Sequence, residues 1–369
     1  MSGYLTPRLT PAQADGVLKR VKEYSHMRVA MYYRNHDIRL EEMPVPLIGS
    51  GELLVKIYSS GICGSDVMEW YRINKAPLVL GHEIAGEAVD VGEGVKSFVK
   101  GDRVAATHHV PCFSCHYCVS GHETVCDTLL SGTHFDPGGF CEYVRLPAIN
   151  VDRGTWKIPD TMTYDEATFV EPLACILRGL RAAKFEPGKS VLVLGSGISG
   201  LLFISLARAL GATRVIATDV NTYRLKAGKL FGADDTIDGR QNVSLLFRER
   251  NQGRGADIVI VTAGVKGAFE QALQAVERGG AILFFAPTRE NVAIPLSIND
   301  VFWRKDITLT TTYAGSPADC VTALEIIRAR RAPVHDMITH RFGLQETVKG
   351  FELVEKGDES IKIIIRPQE

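Results

Sequence analysis

The apolar positions change rhythm near residue 190. From Arg28 to about Val110 they come in short runs, Arg28–Tyr32 and Glu52–Ile57 among them, separated by turn residues such as Gly49-Ser50-Gly51 and by glycines at 86, 92, 94 and 101. That punctuation predicts short strands, and so a barrel-like β unit. Thr163–Ala183 reads as helical until Pro187-Gly188. Beyond Ser190 apolar strands alternate with helices: Val191–Leu194, a helix Leu201–Leu210, Val215–Asp219, Ile258–Val261, a helix Gly267–Val276, Ala281–Phe285 and Ile307–Thr310. Continuous apolar runs separated by helices predict a parallel, doubly wound sheet. A helix over Ala318–Arg330 and a strand over Ile361–Ile365 complete the chain. Near the start, Thr10-Pro11-Ala12-Gln13 carries a capping signature, with Val17, Leu18 and Val21 on one helical face.

With 369 residues, the chain has room for two cores. Its 45% hydrophobic and 23% charged content is that of a globular protein, and a net charge of −1 gives no general attraction to nucleic acid or anionic membrane. No apolar run is long enough to span a bilayer and no secretory signal is visible, so a cytoplasmic location is expected. Eight cysteines suit that compartment when most of them bind metal.

Four of the eight, Cys112, Cys115, Cys118 and Cys126, have the spacing of a closed tetrahedral zinc site, which is structural because no position is left open. A nucleic-acid-binding zinc ribbon is the other reading, but no Lys/Arg stripe accompanies the cluster. Cys63, adjacent His82-Glu83 and, farther on, Glu171 supply a thiolate, an imidazole and two carboxylates, a donor set suited to a second, catalytic zinc. Three anionic ligands exceed the charge on one zinc, so one glutamate is expected to be displaceable. Cys141, Cys175 and Cys320 fit no metal spacing and read as small apolar residues.

Gly195-Ser196-Gly197-Ile198-Ser199-Gly200 follows a strand and opens a helix, and Asp219 ends the next strand. This is the context of a dinucleotide site. The glycines admit a pyrophosphate and Asp219 holds the ribose hydroxyls. Gly195, Gly197, Ile198, Gly200, Asp219, Arg224 and Thr262 are the candidate cofactor contacts. Asp219 would repel a 2′-phosphate, and a helix after it is expected to carry Arg224 away from the ribose, so NAD is expected over NADP.

Gly81–Gly92, Gly101–Val104, the cysteine lobe and the glycine loop occur in the order seen in zinc-containing medium-chain dehydrogenases/reductases, and from about Met27 onward the chain resembles their sorbitol/polyol and threonine dehydrogenase branch. The resemblance implies an α/β protein: a GroES-like β-barrel catalytic domain, with Gly138–Val144 as its return strand, plus a Rossmann domain inserted into it. The expected division is an extension (1–27), a catalytic part (28–176, with the zinc lobe at 108–130), the nucleotide domain (177–316) and a returning catalytic segment (317–369). It further implies two zinc ions per chain, hydride transfer from a secondary alcohol to NAD, a small-molecule substrate, and a homo-tetramer with a homo-dimer as the alternative. A threonine 3-dehydrogenase or cyclic-alcohol enzyme is the alternative within the family, and a zinc-free quinone reductase or a noncatalytic metal-binding regulator the alternative outside this branch. Ser65 stands where the family keeps its proton-relay hydroxyl. The outer relay histidine is replaced by Met68, and His108 and His109 are not obvious substitutes for it. Trp70 and Tyr71 are candidate pocket residues.

Overall fold

The structure is a computed structural model that describes residues 25–369; the helix expected near Thr10 lies outside them. Three sheets organise the chain. A small one pairs His26–Arg34 with Asp37–Pro44 and Leu78–Val79. A six-stranded parallel sheet runs in the order Asp235–Asp238, Arg214–Asp219, Ser190–Leu194, Ala256–Val261, Val276–Phe284, Thr308–Thr311. All five residues of Ser190–Leu194 are buried, as a central strand covered on both faces requires. The order reverses beside this strand, and at its C-terminal end the loop 195–197 leads into the helix Ile198–Ala209.

The third sheet, of seven strands, determines where the chemistry sits. Its central path runs Lys362–Ile365, Leu53–Gly61, Glu83–Val91, Arg103–Ala106. Registers place Ile364 opposite Gly61, Gly61 opposite Glu83, and Ile84 opposite Ala106. Lys362, Cys63, His82-Glu83 and His108-His109 therefore emerge along one edge of the sheet, at the ends of four neighbouring strands. The return strand begins later than its sequence suggests, at Tyr143, and pairs with the other end of Leu53–Gly61.

The helical stretch expected over Thr163–Ala183 divides into Tyr164–Ala167 and Val170–Ala182. Thr163 caps the first helix in a reciprocal capping box with Glu166. The second buries Leu173, Ile176, Leu177 and Leu180 in one cluster with Ala85 and Ala105 of the seven-stranded sheet, Val191 and Val193 of the six-stranded sheet, and Phe203 of the helix Ile198–Ala209. This shared core fixes Glu171, in the first turn of that helix, between the two halves of the molecule.

Candidate active site

The four cysteines of the lobe converge without forming disulfides. Their sulfurs lie 3.5 Å (Cys115–Cys118), 3.6 Å (Cys112–Cys126) and 3.9 Å (Cys112–Cys118) apart. Four sulfurs arranged tetrahedrally around zinc at about 2.3 Å would be separated by about 3.8 Å, so the group fits that metal. The Ser114 hydroxyl and the backbone N–H groups of Ser114 and Cys115 donate to Cys112 Sγ and hold its thiol down, to about 5. Cys118 is pushed up to about 12 by burial and by its thiol neighbours. Thiols this close resist losing several protons together, and a dication would remove that resistance.

The other candidate ligands fall into two adjacent groups. Ligand atoms of Cys63, His82 and Glu83 lie within 4.8 Å of one another, and so do those of His108, His109 and Glu171. The His82 and His108 rings are 4.8 Å apart between centroids. The structure thus brings Glu171 to the same cavity but sets it against His109, whose Nδ1 is 3.1 Å from Glu171 Oε1, off the hydrogen-bonding direction. His108 and His109, set aside from the sequence, line the centre. The antiparallel register between Glu83–Val91 and Arg103–Ala106 is the signal that would have found them.

Asp66 is wholly buried, accepts the Cys63 backbone N–H at 3.0 Å and lies 3.4 Å from His82 Nδ1. This carboxylate–imidazole contact leaves Nε2 as the coordinating nitrogen. Burial opposes protonation of His82, but Asp66 and Cys63 outweigh it, so its pKa stands well above the ordinary value. Burial and the neighbouring imidazoles instead push His108 well below its usual range. Burial raises Glu171, yet His109, His82 and Cys175 together outweigh it and its pKa is lowered.

Lys362 was not foreseen. It is 1% exposed, donates to Ile62 O at 3.0 Å and pairs with Glu83 Oε2. A Cβ on Gly61 would lie 2.1 Å from that oxygen, so only glycine leaves room for the pair. The pair corrects the charge count made from the sequence: a buried ammonium compensates Glu83, leaving the thiolate and Glu171 to balance a dication. Burial still leaves the Glu83 pKa raised. Cys175, read as merely apolar, has its thiol 3.5 Å from Glu171 Oε1. Ser65 is gripped by Arg72, which donates from Nε to Ser65 O (3.0 Å) and from Nη2 to Ser65 Oγ (3.2 Å).

In the nucleotide half, a Cβ on Gly200 would lie 2.0 Å from Gly195 O, so the loop closes tightly onto its helix. Asp219 accepts the Ser196 N–H at 2.8 Å and the Asn221 N–H at 2.9 Å, and Thr262 Oγ1 donates to Gly195 O at 2.8 Å. The expected helix does follow, capped by Asn221, but it does not remove Arg224 from the site. The Arg224 guanidinium carbon is 3.9 Å from where a Cβ on Gly197 would be, and its Nη2 packs on Gly357. The side chain folds back toward the loop from the first turn of the helix. Tyr313, two residues beyond the last nucleotide-sheet strand, meets His109 edge-on with centroids 5.6 Å apart, which joins the two halves at the metal cluster.

Residues 49–160 match the model of the alcohol dehydrogenase GroES-like domain, and residues 199–329 that of the zinc-binding dehydrogenases. An L-threonine 3-dehydrogenase of Bacillus licheniformis is 36% identical over 89% of this chain and 94% of its own length. A sorbitol dehydrogenase of Gallus gallus is 30% identical over 90% and 94%. Among solved structures, an Escherichia coli alcohol dehydrogenase complexed with NADH superposes with a TM-score of 0.82 at 26% identity, over 93% of this chain and 99% of that one. A Sinorhizobium meliloti protein described as a zinc-binding dehydrogenase and bound to NADP gives 0.80 at 25%, over 93% and 100%. With a barrel-side cluster of metal-ligating side chains, a Rossmann loop and relatives aligned along nearly its whole length, the chain belongs to the zinc-dependent medium-chain dehydrogenase/reductase family of oxidoreductases acting on CH–OH groups.

Proposed function

We propose that this chain oxidises a secondary alcohol to a ketone with NAD, using one catalytic and one structural zinc. The observation that carries the reading is the meeting of the Cys63–His82–Glu83 group with the His108–His109–Glu171 group, where Tyr313 of the nucleotide half packs on His109. When bound, zinc would acidify the alcohol and nicotinamide would accept its hydride. Cys63, His82 and one of the two glutamates would hold the catalytic metal, with Asp66 orienting His82. Ser65 Oγ accepts the Arg72 hydrogen bond, which keeps its own O–H free to take part in moving the alcohol proton. Met68 can carry no proton farther.

The two curated relatives are named for threonine and sorbitol, both of which present a secondary carbinol, and this supports that substrate class. Structural neighbours were solved with each nicotinamide cofactor, so the preference for NAD rests on Asp219. Arg224, close to the loop, weakens the preference without reversing it, because the Asp219 carboxylate stands at the ribose end of the strand. Residues 28–176 and 317–369 would form the catalytic domain and 177–316 the nucleotide domain. A homo-oligomer is supported by the strand Thr308–Thr311, which ends its sheet, and by nearby Ile298, Phe302 and Trp303, which are 64–66% exposed. Among the described residues no helix is long and apolar enough to cross a membrane, and eight free thiols suit a reducing cytoplasm.

The test combines metal analysis with NADH formation on a panel of alcohols. Two zinc ions per chain, loss of one with all activity on mild chelation, and a kcat/KM for NAD about ten-fold or more above that for NADP are expected. Full activity with one zinc remaining would overturn the reading.

A further inference from the structure

On the Ser65 side of the metal-ligand cluster, Arg72 and Lys75 bring two cations together with a single acid, Asp66, set against them. Arg72 directs Nε and Nη2 at Ser65, and among the described residues its Nη1 makes no hydrogen bond. The Tyr71 ring has the Arg72 guanidinium 4.7 Å from its centroid and the Lys75 ammonium 4.6 Å from it, so two positive groups gather at one aromatic ring. Among the described residues Lys75 has no ion-pair partner. His134 lies close enough to the group that, after burial, Lys75, His109 and Arg72 are what hold its pKa down.

Each nearby carboxylate is already engaged. Asp66 lies between His82 and Arg72 (3.7 Å), Glu83 pairs with Lys362, Glu171 faces His109, and Glu69 turns away to accept the Asn35 backbone N–H at 3.1 Å. With Arg72 roughly matched by Asp66, the surplus charge is that of Lys75, an exposed side chain. Unmatched positive charge beside the metal-ligand cluster raises the local concentration of anions and offers charge-assisted hydrogen bonds to them.

We propose that the alcohol oxidised here carries an anionic group, a carboxylate or a phosphate ester, received by Arg72 and Lys75 while its carbinol lies at Ser65. A neutral polyol would leave the Lys75 charge unmatched. The assignment rests on the dehydrogenase reading for the carbinol, and on the cation cluster alone for the anion.

The experiment is calorimetric titration of the zinc-loaded enzyme–NADH complex, which cannot turn over alcohols, with sorbitol, gluconate and sorbitol 6-phosphate. At least one anion is expected to bind about ten-fold or more tightly than sorbitol, the scale of one charge-assisted hydrogen bond. The tighter of the two identifies the source of the charge. Lys75→Met should remove most of the advantage, as should raised ionic strength, while the exposed Lys96→Met control keeps it. Sorbitol binding as tightly as both anions, or an advantage that Lys75→Met leaves intact, overturns the proposal. In parallel, the free enzyme is assayed with NAD and matched neutral, carboxylate and phosphate alcohols of various lengths. Tight anion binding with no NADH from any of them would overturn the dehydrogenase reading and leave the anion site standing.

Discussion

The two metal-ligand clusters are built in opposite ways. The cysteine lobe takes its four sulfurs from fifteen consecutive positions, Cys112 to Cys126, and keeps them in place with hydrogen bonds from the same loop. The buried centre takes Cys63, His82-Glu83, His108-His109 and Lys362 from four strand ends and Glu171 from a helix, and is held by the register of the sheet. The first is a local device that can form as soon as its loop exists. The second is a property of the whole fold, and its charges are neutralised by residues far away in sequence. A closed, local site should therefore fail alone, while damage to the distributed site should spread into global stability.

The sharpest way to break this contrast is Cys115→Ser. Structural zinc binding is worth ~10–16 kcal/mol in isolated finger peptides, so the variant should lose one zinc equivalent outright and become cleavable by protease within 108–130. Metal at the buried centre should remain. Loss of both metals together would show that the lobe is not independent.

A smaller effect, on overall stability, is expected from Lys362→Met. It leaves Glu83 buried without its counter-ion, at about 3–5 kcal/mol in denaturant unfolding of metal-free protein at neutral pH. Adding Glu83→Gln should restore most of the loss. Because burial raises the Glu83 pKa, its carboxyl takes up a proton more readily in the fold, and the deficit should shrink as pH falls through the carboxylate range. A cost below about 1 kcal/mol, typical of an exposed pair, would remove the pair from the account.

The smallest of the three is Asp66→Asn. Losing the carboxylate behind His82 should weaken the labile metal about 10–100-fold in chelator competition, with the lobe metal unchanged. Equal weakening of both sites would mean that Asp66 supports the fold rather than the imidazole.

Legibility followed the same division. Cys112-x-x-Cys115-x-x-Cys118 and Gly195–Gly200 could be read directly, because their ligands or amides must be close in sequence to work. The alternation of strand and helix after Ser190 was equally clear, since burial on both faces forces apolar runs. The donors Cys63, His82, Glu83 and Glu171 could be named as candidates, but their separation into two groups could not, because it depends on which carboxylate His109 and Lys362 each engage. His108 and His109 were missed because only the pairing of Ile84 with Ala106 brings them beside His82. The misjudged direction of Arg224 has another cause. A helix axis gives the position of a Cα, while a long side chain in the first turn can reach back across the N-terminus to the glycine loop.

The ion pair between Glu83 and Lys362 spans 279 positions. At ribosomal rates of about 5–20 residues per second, a growing chain waits on the order of tens of seconds between making the acid and making the base. Throughout that interval the strand Glu83–Val91 cannot take its final buried place without either a bare carboxylate or a proton on it. The last strand, Lys362–Ile365, is thus what allows the centre to close, and a chain ending before residue 362 should hold a finished zinc lobe beside an unfinished active site.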